Sequence, residues 1–199
     1  MEIIENYVYV KKLNIDLFEM KLAVDAMYDF IKDSFVPGKD DYSGQSTMTT
    51  QLYTQYNLLM YPYAPFHELY LGIRDTFHSM NKLNTSHNFL QCWLNYYREG
   101  EFIDWHYHWP PENKSWHGFY CVDCEPSHTT YRIPGTNKEV DIESKNNNLV
   151  LSKSNGDMHR SWPWPYSDRP RITVAFDIVP ADSLTINQKF GSINHWVPI

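Results

Sequence analysis

The stretch EGEFIDWHYHWPPENKSWHGFYCV, residues 99–122, sets three histidines among bulky aromatic residues, and two of them, His106 and His108, are spaced H-x-H. It reads as two short strands, 101–107 and 116–123, parted by a proline-rich turn. Along the first strand side chains alternate, so Phe102, Asp104, His106 and, with the strand continued, His108 share one face, while Ile103, Trp105 and Tyr107 take the other. Two imidazoles on one face begin a metal chelate, which needs a third ligand from elsewhere. The competing reading is a pair of surface or hydrogen-bonded histidines, and the pair alone does not decide between them.

Working outward, short apolar, β-branched and aromatic runs separated by Pro, Gly and Asn clusters continue on both sides. The pattern predicts strands at 87–98, 101–107, 116–123, 128–133, 138–143, 148–152, 158–162 and 170–179. No long helical pattern interrupts them, so they pair mostly antiparallel, as in a sandwich or barrel. Before them, Leu17, Met20, Val24, Met27, Tyr28 and Ile31 recur with a helical period over 14–33, with Asn14 as the expected N-cap. A second helical period runs through Phe66, Leu69, Tyr70, Ile73, Phe77 and Met80. The polar segment 36–51, with Pro37, Gly38 and Gly44, is expected to be a loop. The expected layout is therefore α+β in one domain, 1–199: a helical portion 1–85 packed outside, a strand core 86–182, and a tail 183–199. Trp196, Val197 and Ile199 of the tail are expected to pack on the body or to support a homodimer.

A chain of 199 residues suffices for one sizeable core. A net charge of −7, with no basic run longer than Lys11-Lys12, argues against a nucleic-acid partner. The start MEIIENYVYVKK lacks the basic-then-apolar order of a signal peptide, and no apolar run of about 18 residues is present, so no membrane association is expected. Three cysteines without framework spacing suit a reducing compartment, and a cytoplasmic location is the expectation. Cys121 and Cys124, flanked by His117 and His128, have the composition of a zinc set, but residues three apart on a strand face opposite ways, which favours ordinary buried thiols.

The order of residues around the H-x-H adds more than the pair itself. Asn95 and Tyr97 lie one strand before it, His159 follows a short apolar strand, and Arg171-Ile172-Thr173 opens the last strand. In this order the segment from about 87 to 180 resembles the iron(II)- and 2-oxoglutarate-dependent oxygenases of the double-stranded β-helix, or jelly-roll, superfamily. It is most similar to a phage and bacterial branch with an H-x-H-P pattern. The resemblance implies a jelly-roll core of about eight strands, with His106, His108 and His159 as ligands of Fe(II). It implies Arg171 with Thr173 as the anchor of 2-oxoglutarate, and Asn95 and Tyr97 as helpers. It also implies hydroxylation of a small-molecule or peptide substrate with release of succinate and CO2.

The departure is at His108, where the superfamily usually has a carboxylate. Three completions stand open: a three-histidine site, a carboxylate from Asp104 or Asp157, or a two-histidine site with an open position. The H-x-H of the related branch favours His108, with Asp104 as the alternative ligand. Trp109, Trp116, Trp162 and Trp164 flank the presumed metal on loops and are candidates for a substrate-gripping rim. Two rival functions remain. One is a cupin-type three-histidine dioxygenase or isomerase without a cosubstrate, against which Arg171 speaks. The other is a non-catalytic jelly-roll module binding carbohydrate or peptide.

Overall fold

The computed structural model describes residues 1–35, 47–81, 86–186 and 195–199. Its first elements are two strands that sequence reading assigned to the helical portion, β1 (Glu2–Ile4) and β2 (Val8–Lys12). The alternation in Tyr-Val-Tyr-Val carried their signal, but the run is short. Helix α1 (Leu17–Ser34) begins on Asp16 rather than on Asn14. The Asp16 carboxylate accepts the free N–H groups of Phe18 and Glu19, at 2.9 and 3.2 Å, and so satisfies the first turn. The expected loop contains a one-turn helix, α2 (Met48–Gln51), capped by the Thr47 hydroxyl; the rest of it, with Pro37, Gly38 and Gly44, lies outside the described residues. Helix α3 (Ala64–Met80) buries Phe66, Leu69, Ile73 and Phe77. No helix among the described residues is long and apolar enough to cross a membrane.

Seven of the expected strands form: β3 (Asn88–Tyr97), β4 (Trp116–Asp123), β5 (Ser127–Arg132), β6 (Glu139–Ser144), β7 (Asn148–Lys153), β8 (Met158–Ser161) and β9 (Arg171–Pro180). They are followed by a short helix, α4 (Ala181–Ile186), and a two-residue strand, β10 (Val197–Pro198), which pairs with β3. The larger sheet runs β1-β2-β7-β4-β9-β3-β10 and the smaller β6-β5-β8, with antiparallel pairing throughout. This is an α+β jelly roll.

The segment 101–107 is not a strand. It meets β8 at a single bridge, His106 with His159, sealed by two backbone hydrogen bonds of 3.1 and 3.0 Å. Local bonds compete with a longer ladder: the Asp104 carboxylate accepts the Trp105 N–H, and the Asp104 carbonyl accepts from the His106 ring.

The larger sheet has two unlike faces. Leu90, Leu94, Val174, Phe176 and Ile178 enter one apolar cluster with the buried sides of α1 and α3, and Phe77 meets the Trp116 ring edge-on at 5.9 Å. The opposite parity faces the smaller sheet. There the β3–β9 register sets Gln91 opposite Asp177, Trp93 opposite Ala175, Asn95 opposite Thr173, and Tyr97 opposite Arg171. The helices thus stiffen the sheet from behind while its polar parity lines the space between the sheets.

Candidate metal and cosubstrate site

His106 and His108 leave the irregular segment toward His159 on β8, and these three imidazoles bring ligand-type nitrogens within 4.8 Å of one another. Ring centroids lie 4.2 Å apart for His106 and His159 and 5.1 Å apart for His108 and His159. All three line one cavity. His106 points its Nδ1–H at the Asp104 carbonyl, 2.8 Å away, which leaves Nε2 with the lone pair. His108 does the same through Asp177, whose Oδ1 lies 2.5 Å from His108 Nδ1. The Asp177 Oδ2 accepts the Trp109 indole N–H at 2.9 Å.

Desolvation, reinforced by the neighbouring His108, holds the His106 imidazole down at about 3. His159 is held far below its ordinary value by the same two causes, burial first and the nearby imidazoles second. Burial also disfavours the charged form of His108, but the Asp177 carboxylate outweighs it and raises that ring. Near neutral pH the rings of His106 and His159 are therefore free bases, the state in which imidazole binds a metal.

The two alternative carboxylates go elsewhere. Asp104 is exposed and engaged with Trp105, so it does not join the cluster. Asp157 is buried and pairs with His117, Oδ2 to Nε2, at 2.7 Å, while Ser152 Oγ lies 2.9 Å from the same nitrogen. His117, Asp157 and His159 make a second set of donors within 4.8 Å. Its composition, two histidines and a carboxylate, is the commoner one for iron(II). Yet neither His117 nor Asp157 lines the cavity, and His117 Nε2 is already held by Asp157 Oδ2, although Asp157 Oδ1 and His159 Nδ1 are buried without a hydrogen-bond partner among the described residues. The three-histidine set opens on the cavity and is the better candidate. Sequence reading gave His117 to the next strand, which is where it lies; its inward parity is what brings its ring within 4.5 Å of His108 and 4.7 Å of His159. With His117 turned to Asp157 and His128 set against Trp162, neither joins Cys121 and Cys124, whose thiols are buried and free.

The cavity continues past the imidazoles to Arg171, Thr173, Asn95 and Tyr97, all of which line it. Arg171 is buried; its Nε–H donates to Ser127 Oγ at 2.9 Å, and its guanidinium lies 5.0 Å from the Tyr97 ring centre. No carboxylate pairs with it among the described residues. An unpaired buried cation is costly, so this one is poised for an anion that enters the cavity. Asn95 is fixed by the Thr50 hydroxyl, which donates to its Oδ1 at 2.6 Å.

The expected tryptophan rim is mostly elsewhere. Trp109 does line the cavity. Trp116 packs on the helix side against Phe77, Trp162 is 45 % exposed on the outside of the smaller sheet beneath Arg160, and Trp164 is buried with its N–H on the Arg169 carbonyl. Their places on the wall are taken by Trp93 and Trp196, with Tyr53. Trp93 shares parity with Asn95 and Tyr97, a signal the sequence already carried. Trp196 closes over Trp109 from the tail, their ring centres 6.3 Å apart.

Neither a family model nor a curated protein matches the sequence. Solved structures do resemble the fold. A prolyl hydroxylase from Trichoplax adhaerens, in complex with a hypoxia inducible factor peptide fragment, superposes with a TM-score of 0.65 at 12 % identity, covering 93 % of this chain and 89 % of that one. A viral collagen prolyl hydroxylase from Paramecium bursaria chlorella virus 1, in a 2-oxoglutarate complex, gives 0.59 at 13 % identity, covering 88 % and 97 %. The non-haem α-ketoglutarate-dependent epimerase SnoN of nogalamycin biosynthesis gives 0.59 at 10 % identity, covering 87 % and 78 %. The chain shares its fold with these two prolyl hydroxylases and with this α-ketoglutarate-dependent epimerase.

Proposed function

We propose that the protein is an Fe(II)- and 2-oxoglutarate-dependent oxygenase. The observation that carries this reading is the presence, in one cavity, of three converging imidazoles and a buried guanidinium that pairs with no carboxylate among the described residues. The donor set fits iron(II): the rings of His106 and His159 are free bases, and those of His106 and His108 have Nδ1 turned to oxygen acceptors, which leaves Nε2 of these two for the metal. His106, His108 and His159 would hold the metal. Bound there with 2-oxoglutarate, it supplies the activation of O2 and the oxidative decarboxylation that yields succinate and CO2.

The chain's own part is to bind, orient and exclude water. Arg171 offers a planar fork to the far carboxylate of the cosubstrate, a geometry that lysine lacks. Thr173 adds a hydroxyl on the same face, and Tyr97 and Asn95 stand beside the pair on that face through the β3–β9 register. Burial of Arg171 keeps that carboxylate's partner dry, which strengthens the pairing. Trp93, Trp109 and Trp196 wall the remaining space, and a small molecule or a peptide side chain is the substrate class in keeping with that apolar lining. Hydroxylation is the outcome proposed.

The all-imidazole donor set also suits a three-histidine dioxygenase that needs no cosubstrate. Assays for succinate decide between them. Anaerobically reconstituted protein, given 2-oxoglutarate and then O2, is expected to release succinate slowly even without a prime substrate, and His159→Ala is expected to release none. An iron-loaded protein that leaves 2-oxoglutarate intact would favour the cosubstrate-free enzyme. A protein without metal affinity would favour a binding module.

A further inference from the structure

We propose that Asp177 is the anionic partner of the metal site, acting through His108 in place of the carboxylate ligand that the H-x-H spacing omits; the proposal rests on the reading of His108 as a ligand. Asp177 stands on the inner parity of β9, three alternations beyond Arg171, at the end of the row that continues through Thr173 and Ala175. Its Oδ1 lies 2.5 Å from His108 Nδ1 and its Oδ2 accepts from Trp109 Nε1 at 2.9 Å, so both oxygens are oriented and the carboxylate cannot turn away. It is buried, and it also lines the cavity.

A carboxylate that accepts the Nδ1–H of a ligating imidazole fixes the ring's tautomer and direction and makes the other nitrogen more basic. Three neutral ligands by themselves leave the whole charge of a divalent ion uncompensated in a desolvated pocket. A buried carboxylate one ring away restores a negative charge without occupying a coordination position. Asp157 does not hold His159 in this way: its Oδ2 is on His117 at 2.7 Å and stands 3.8 Å from His159 Nδ1, beyond hydrogen-bond reach. Asp177 is therefore a positioning residue, and it makes no contact with the reacting atoms.

The test is an anaerobic titration of the metal-free protein with Fe(II) alone, with no 2-oxoglutarate, on wild type, Asp177→Asn, His108→Ala and the double variant. It is joined by the Fe(III)/Fe(II) potential of each loaded form. Asp177→Asn is expected to weaken Fe(II) binding by roughly 10–100-fold and to shift the potential positive, and Asp177→Glu to recover part of both. The double variant is expected to bind no more weakly than His108→Ala, because the two residues act as one unit. Asp177→Asn within about twofold of wild type with an unchanged potential, or losses that add in the double variant, would overturn the proposal. If Asp177→Asn does not fold, Asp177→Ser takes its place, and an affinity within about twofold of wild type with an unchanged potential there would overturn the proposal equally. Wild-type affinity in His108→Ala would instead show that His108 is not a ligand. That outcome removes the premise, and it is distinguishable from a failure of Asp177 alone.

Discussion

In the proposed function, Arg171 is the residue on which cosubstrate binding turns. Replacing it with Met keeps most of the side-chain volume and removes the charge, and two opposite effects are expected. Binding of 2-oxoglutarate, followed by anaerobic titration calorimetry on the metal-loaded protein, should weaken by roughly 2–5 kcal/mol, the usual loss when one member of a buried charge pair is truncated. The melting temperature of the ligand-free protein should hold or rise, because a buried cation that pairs with no carboxylate among the described residues is removed. A variant that binds 2-oxoglutarate normally would take Arg171 out of the site. The resemblance pointed to Arg171, Thr173, Asn95 and Tyr97, and the β3–β9 register brings all four onto one face. Asp177 was as legible by parity as Thr173, since it lies two residues beyond Ala175, but a lone aspartate near a strand end carries no chemical signature until its partner is known. The pairing with His108 spans 69 residues of chain and depends on where an irregular segment lands.

At the scale of elements, β4 shows how the site is held. Gly118 sits between β7 and β9, opposite Leu151 and Phe176, and a Cβ there would stand 2.1 Å from the Val150 carbonyl oxygen and 2.6 Å from the Phe176 ring. Backbone cannot give way as a flexible side chain can. Gly118→Ala is expected to cost about 1–3 kcal/mol or more in urea unfolding, and wild-type stability would show that the strand has slack. The same strand carries His117, so the strain should also reach the metal site. Strands with long alternating or apolar runs, β3, β4, β7 and β9, were legible from their periodicity. The segment 101–107 was misread for a physical reason: its alternation is real, but Asp104 bonds its own neighbours and breaks the ladder after one bridge. The helix N-cap moved from Asn14 to Asp16 because capping depends on reach to particular N–H groups, which composition does not give.

For the whole molecule, the buried histidines make stability depend on pH. Unfolded imidazoles titrate near 6.5, whereas His106 is held at about 3 and His159 far below its ordinary value. Between about 6.5 and 3 the unfolded chain binds protons that the folded chain refuses, so stability falls as pH falls through that window. Asp157, lowered because His117 outweighs its burial, adds a further loss as pH drops through its folded value. His108 works the other way: its raised value contributes stability below the unfolded value that is lost as pH rises through the folded one. Two lowered rings outweigh one raised ring, and the urea midpoint of the metal-free protein is expected to be lower at pH 5 than at pH 7. A flat or opposite profile would mean that the rings are not held neutral. Saturating Ni(II) at pH 7 should raise the melting temperature, since three converging imidazoles bind it more tightly than the scattered histidines of the unfolded chain.

In the proposed function a three-imidazole metal site and an arginine-anchored cosubstrate share one jelly roll, and the visible spectrum of the anaerobic Fe(II) protein with 2-oxoglutarate interrogates both halves together. Chelation of the iron by the cosubstrate's keto and carboxylate oxygens is expected to produce a metal-to-ligand charge-transfer band that is absent without 2-oxoglutarate, absent in His159→Ala, and shifted to much higher 2-oxoglutarate concentration in Arg171→Met. Iron bound stoichiometrically by the wild-type protein, with no band at any 2-oxoglutarate concentration, would contradict it.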